Sequence, residues 1–131
     1  MIETVERLKQ HGIQPSAQRV AVAEYVLTTS DHPSADLVFK RVSKHCPYIS
    51  RATVYNTLNL FVEKGLLKAL HIAEESVVFD PITETHHHFI DDRTGAIHDI
   101  PFDRVQVCNL ESLRGFEIRD YQVVLHGRRK K

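Results

Sequence analysis

The chain reads as an α+β protein in two parts, a run of short helices followed by a smaller unit rich in strands. Three observations carry this reading. Apolar residues recur at helical spacing as far as about residue 64, punctuated by Gly, Pro and Ser. From Leu66 onward the runs shorten to strand length, bounded by polar turns. The stretch Thr85-His86-His87-His88-Phe89, with Phe79-Asp80 before it and Ile97-His98-Asp99-Ile100 after it, gathers imidazoles and carboxylates within about twenty residues.

Each element has a local cause. Ile2, Val5 and Leu8 make a helical stripe that Gly12 ends, and Pro15-Ser16 opens a second helix carrying Val20, Ala23, Val26 and Leu27. His32-Pro33 breaks the chain, and Ser34 caps a third helix with Leu37, Val38 and Val42 on one side. After the link Cys46-Pro47-Tyr48-Ile49, Ser50 caps a fourth helix whose Val54, Leu58, Phe61 and Val62 share a face, and Gly65 stops it. The third and fourth helices, joined by so short a link, predict a helix-turn-helix, with the polar opening Ser50-Arg51-Ala52-Thr53-Val54-Tyr55-Asn56-Thr57 able to enter a major groove. Leu66 to Ile72 and Ser76 to Phe79 read as two strands around Ala73-Glu74-Glu75, a wing beside the helices.

Past Asp80-Pro81 the spacing predicts strands over His86 to Ile90 and Ala96 to Ile100, around Asp91-Asp92-Arg93-Thr94-Gly95. Side chains alternate along a strand, so His86 and His88 share a face and His87 takes the other. A turn centred on Arg93-Thr94 sets His88 opposite Asp99 on that face. A helix from about Asp103 to Arg114, with Val105, Cys108 and Leu113 apolar and Cys108 in the core, and a last strand from Tyr121 to Leu125 complete the unit. Gly127-Arg128-Arg129-Lys130-Lys131 reads as a frayed basic tail. The domains are thus 1–79 and 80–131.

Composition narrows the class. The 131 residues are 42% hydrophobic and 26% charged, enough for one ordinary domain or two small ones. No run approaches the roughly 18 apolar residues of a membrane span, and Met1 to Gln10 has no signal-peptide core, so a cytoplasmic protein with no membrane partner is expected. Only Cys46 and Cys108 occur, which excludes a disulfide framework and a four-cysteine zinc site. Formal net charge is zero, yet Ser16 to Lys68 carries an excess of three positive charges, a bias that permits phosphate contact.

Taken together, the residues resemble the ferric uptake regulator family of metalloregulatory repressors along nearly the whole chain. The resemblance lies in Gln18-Arg19, His32-Pro33-Ser34-Ala35-Asp36, Ser50 to Leu58, Glu63-Lys64-Gly65-Leu66, Phe79-Asp80, His86-x-His88 and Gly95-x-Ile97-x-Asp99, in that order and spacing. It implies an N-terminal winged helix for double-stranded DNA, a C-terminal dimerisation and metal-sensing domain, a homodimer, and a palindromic operator. It also implies a regulatory metal held by His32, Asp80, His86, His88 and Asp99. Three nitrogens and two carboxylate oxygens suit Fe(II) or Mn(II), with Zn(II) binding in vitro by affinity order. Arg51 and Tyr55 are read as base-edge or phosphate contacts, and Gln18, Arg19 and Thr53 as positioning the DNA backbone.

The departures from the family pattern matter too. Asp91 and Thr94 stand where many relatives carry the first of two C-x-x-C pairs, and the tail has no second pair, so the structural zinc is expected to be absent. A second histidine-rich site is incomplete, with Gln106 and Tyr121 near positions that supply ligands elsewhere, although His87 remains a candidate for it. Aspartate at 80 and 99 looks like the peroxide-sensing branch, in which bound iron promotes oxidation of a ligand histidine. The triple histidine and the lack of cysteine pairs look like the iron response regulator branch, linked to haem status. Cys46-Pro47, preceded by His45, has the form of a haem-regulatory dipeptide, so haem stays open as a cofactor, although a small residue filling a turn is the simpler reading. Outside the family, two histidines and a carboxylate also make a small non-haem iron enzyme, and a metal-storage module without DNA binding is a third reading. The pattern favours a regulator over an enzyme, because no feature of a substrate pocket is legible.

Overall fold

The computed structural model describes residues 2–73 and 76–130. The chain divides into two compact units, Met1–Thr83 and Glu84–Lys131.

The first unit holds four helices, α1 (Ile2–Gln10), α2 (Ala17–Val26), α3 (Ala35–Val42) and α4 (Arg51–Glu63), then an antiparallel pair, β1 (Lys68–Ala73) and β2 (Ser76–Asp80). Three serines start three of the helices. The side chains of Ser16, Ser34 and Ser50 accept from the backbone N–H groups of Arg19, Leu37 and Thr53, filling orphan donors of each first turn. Gly12 (φ +73°) and Gly65 (φ +80°) lie in the left-handed region that ends a helix at little cost for glycine alone. Leu8, Val22, Val38, Val54, Leu58 and Phe61 are essentially sealed from solvent. At about 1.5–3 kcal/mol per buried side chain, this shared core holds the helices together. The wing turn at Glu74-Glu75 lies outside the described residues.

One local feature of this unit positions chemistry. Ser34 forms an isolated antiparallel bridge with Val78, and the Phe79 N–H donates to the Pro33 carbonyl at 2.9 Å. The His32-Pro33-Ser34 segment is thereby fastened beside the end of β2, where Asp80 sits.

The second unit is a three-stranded sheet of order β4-β3-β5, from β3 (His87–Asp91), β4 (Ile97–Ile100) and β5 (Val124–Gly127). β3 and β4 form the hairpin with His88 opposite Asp99, the register expected from the turn. Asp91 accepts from the Arg93 N–H at 2.8 Å, the Thr94 hydroxyl from the Ala96 N–H at 3.1 Å, and Gly95 takes φ +77°. Polar side chains thus tie the turn where a cysteine pair was looked for.

Two expectations are corrected. No α-helix spans 103–114: the stretch holds only 3₁₀ turns at Phe102–Arg104 and Leu110–Ser112. Val105 is extended (φ −129°) and Asn109 left-handed (φ 68°), and both interrupt a helical ladder. Its apolar stripe is covered only in part within the chain, with Val105 and Leu110 half-buried. Leu113 is 50% exposed and Cys108 is exposed rather than in the core, and a short helix without a fully buried face is marginal. The last strand falls at Val124–Gly127 instead of Tyr121 to Leu125, and it runs parallel to β3. Parallel pairing needs a crossover of a dozen or more residues, which the 101–123 stretch supplies.

Ser50→Ala removes the acceptor that Thr53 N–H meets at 3.0 Å. Urea unfolding should show a loss of about 1 kcal/mol with an unchanged denaturant slope.

Candidate metal centre and nucleic-acid face

His32 and Asp80 meet within the first unit. His32 is buried and takes φ 50°, unusual for a residue other than glycine, in the loop that the Pro33 and Ser34 contacts clamp against β2. Its Nδ1 lies 3.1 Å from the Ser30 carbonyl. A carbonyl only accepts, so Nδ1 carries the hydrogen and, in the neutral ring, Nε2 carries the lone pair. That Nε2 lies 3.3 Å from Oδ2 of Asp80, a carboxylate 1% exposed whose Oδ1 accepts from the Ile82 N–H at 2.9 Å.

The second unit repeats the arrangement. His86 Nδ1 donates to the Glu84 carbonyl at 2.7 Å, and its Nε2 is 3.3 Å from Asp99 Oδ1. His88 Nε2 is 3.5 Å from the same oxygen, and the two imidazole centroids are 4.5 Å apart. His86 and His88 are buried while the Asp99 side chain is one-third exposed, so the set opens on its carboxylate side.

These distances decide the chemistry. A neutral imidazole lone pair facing a carboxylate oxygen is repulsive until a positive charge lies between them. For His32 and His86 a second proton on the ring supplies one solution, at the cost of an imidazolium charge on each, whereas a neutral His88 can donate from Nε2 to Asp99. A divalent cation supplies the other, since Nδ1 donation to a backbone carbonyl is the support that metal-bound histidines ordinarily have. The donors are all nitrogen and carboxylate oxygen. They fit a borderline or hard first-row ion, and no thiolate is among them.

His87 occupies the opposite strand face, as alternation requires, and is fully buried. Its Nδ1 accepts from the Val123 N–H at 2.8 Å, and its ring stacks on Phe102 at 5.0 Å with Tyr121 at 6.0 Å. Among the described residues, no group of three or more metal-ligating side chains includes His87. Cys46 is free and packs partly buried against the helical core.

The residues read as DNA contacts fall into two groups in the first unit. Gln18, Arg19 and Thr53 line one polar cleft of about 440 Å³ between the start of α2 and α4, with Asn56, which the sequence reading passed over. Arg19 Nη1 donates to the Gln14 carbonyl at 2.8 Å. Arg51 and Tyr55 project from the start of α4 and meet Asp36 of α3 at 2.8 and 3.1 Å. Nothing in the sequence marked Asp36 as their partner, because the contact joins residues 15 and 19 positions apart on different helices.

A winged helix-turn-helix followed in the chain by imidazole–carboxylate clusters defines, as a class, a metal-responsive DNA-binding regulator. The chain belongs to the ferric uptake regulator family, which it matches over residues 10–126. The peroxide operon regulator of Bacillus subtilis (strain 168) is 34% identical over 128 residues, covering 95% of this chain and 88% of that protein. Among solved structures, a zinc-bound manganese uptake regulator is similar with a TM-score of 0.71 at 26% identity, over 97% of this chain and 99% of that one. The ferric uptake regulator of Pseudomonas aeruginosa with manganese gives 0.70 at 26% identity over the whole of both chains. The protein is a metal-dependent transcriptional regulator and not an enzyme, in a family of dimeric DNA-binding proteins. Among the described residues no helix is long and apolar enough to cross a membrane.

His87→Phe keeps the ring stack but strands the half-buried Val123 amide. Thermal unfolding should show a loss of about 1–3 kcal/mol, while Mn(II) stoichiometry by isothermal titration stays at the wild-type value. A lower stoichiometry would make His87 a ligand.

Proposed function

We propose that one divalent cation is shared by His32, Asp80, His86, His88 and Asp99, and that its binding favours the conformation that grips a palindromic DNA operator as a homodimer. The observation that carries this is the pairing of imidazole Nε2 atoms with carboxylate oxygens at 3.3–3.5 Å in both units. Because His32 and Asp80 belong to one unit and the other three ligands to the next, a cation that takes all five binds one arrangement of the units better than others. That differential affinity is what makes a metal a corepressor.

Five nitrogen and oxygen donors favour Fe(II) or Mn(II) over the closed four-coordinate geometry of structural zinc, although zinc competes by affinity order. The likeness to the B. subtilis peroxide regulator, together with aspartate at both 80 and 99, favours peroxide as the signal. Fe(II) held there would supply the electrons that reduce peroxide, and the imidazoles of His32, His86 and His88 would be the oxidisable groups nearest to it. Manganese at the same ligands is inert to peroxide. The exposed apolar side chains of Leu113, Phe116 and Ile118, and β5 as an edge strand of its sheet, supply surface for pairing with a second copy.

DNA contact is assigned to the opening of α4, with Arg51 and Tyr55 reaching bases or phosphates and Gln18, Arg19 and Thr53 lining the adjoining cleft. The discriminating experiment is a mobility-shift titration on duplexes selected from a random pool by the Mn(II)-loaded protein. Binding should require metal and survive peroxide with Mn(II) but be lost with Fe(II). DNA affinity indifferent to metal removes the corepressor reading, and an iron form indifferent to peroxide removes oxidant sensing. Asp99→Ala should lower Mn(II) affinity at least about tenfold and abolish the metal dependence. Arg51→Ala and Tyr55→Ala should abolish duplex binding with Mn(II) affinity unchanged.

A further inference from the structure

Asp36 stands in the first turn of α3, away from the helix assigned to DNA, yet a single atom of it organises that helix. Its Oδ1 accepts from Arg51 Nη1 at 2.8 Å and from the Tyr55 hydroxyl at 3.1 Å. The Arg51 guanidinium also lies 4.6 Å over the Phe39 ring, so it is held from two sides. Asp36 and Arg51 are each more than 60% exposed at the side chain, and Tyr55 is 43% exposed.

Stability does not account for such an arrangement, because exposed ion pairs contribute little to it. Its physical effect is on orientation. A free arginine side chain loses rotamer freedom when it is fixed, and here that loss is incurred before any duplex arrives. Its second effect is electrostatic. A carboxylate on a phosphate-binding face repels every duplex alike and competes with phosphate for the same guanidinium, so contacts to the sugar–phosphate backbone alone are discounted. The state of Tyr55 agrees with this geometry: the hydrogen bond to Asp36, a little burial and the Asp36 charge raise its phenol above the ordinary value, against a smaller lowering by Arg51.

We infer that Asp36 is a specificity-determining positioning residue, holding Arg51 and Tyr55 in one orientation and suppressing phosphate-only binding, so that only duplexes whose bases reward that orientation bind tightly. This rests on the assignment of α4 as the DNA-contacting helix. Base discrimination then depends on a side chain that need touch no base.

The test uses the full-length Mn(II)-loaded protein, random duplex, and duplexes selected by the wild type. Asp36→Asn should bind random duplex several-fold more tightly, with a steeper salt dependence, and lower the ratio of selected to random affinity about tenfold. Asp36→Glu should restore much of that ratio. A pH titration of tyrosinate absorbance, differenced against Tyr55→Phe, should show the Tyr55 phenol ionising at lower pH in Asp36→Asn than in the wild type. An unchanged affinity ratio, salt slope and Tyr55 titration in Asp36→Asn would overturn the inference. The two readings fail separately. If Arg51→Ala and Tyr55→Ala leave selected-duplex binding intact, the α4 assignment falls; if they abolish it and Asp36→Asn is silent, only the role of Asp36 falls.

Discussion

An imidazole lone pair set against a carboxylate oxygen demands a positive charge between them, and this chain builds that demand twice, with His32 on Asp80 and His86 on Asp99, and turns the Nε2 of His88 to the same Asp99 oxygen. Much of the local structure around the three pairs serves to aim them. Backbone carbonyls of Ser30 and Glu84 take the Nδ1 hydrogens of His32 and His86, which turns Nε2 toward the carboxylates. The Ile82 amide occupies one oxygen of Asp80 and leaves the other for His32. The Ser34–Val78 bridge brings the His32 loop beside the end of β2, and the β3–β4 register brings Asp99 beside His88.

The same economy governs the helix assigned to DNA. α4 is anchored by Val54, Thr57, Leu58 and Phe61 in the core, which leaves Arg51, Tyr55 and Asn56 on the outer side. The serine cap at its start keeps its first turn intact, and that turn carries Arg51 and Thr53. A rigid helix with a fixed opening turn is what base-edge recognition requires, and Asp36 extends the rigidity from the backbone to the side chains.

Most of this was legible in the residues because it is local. Ser16, Ser34 and Ser50 do cap helices, Gly12 and Gly65 do end them, and the turn centred on Arg93-Thr94 sets His88 opposite Asp99. Alternation put His87 on the face away from His88, but its burial under Phe102 and Tyr121 depends on the crossover, which no local pattern reveals. The helix expected at 103–114 failed for a related reason. Its periodicity is real, but periodicity makes a helix only where a surface receives the stripe, and here Cys108 and Leu113 stay exposed while Val105 and Leu110 are only half-buried. The left-handed backbone at His32 and the Asp36 contacts were illegible because both arise from neighbours distant in sequence.

The central claim, that one ion is held jointly by ligands from both units, is tested most directly by counting its imidazoles. Electron spin-echo envelope modulation of bound Mn(II) should show three imidazole nitrogens in the wild type and two in His32→Ala, with residual Mn(II) bound far more weakly. An unchanged nitrogen count and affinity in His32→Ala would contradict the account, for the ion would then be held without the imidazole that the first unit is assigned to supply.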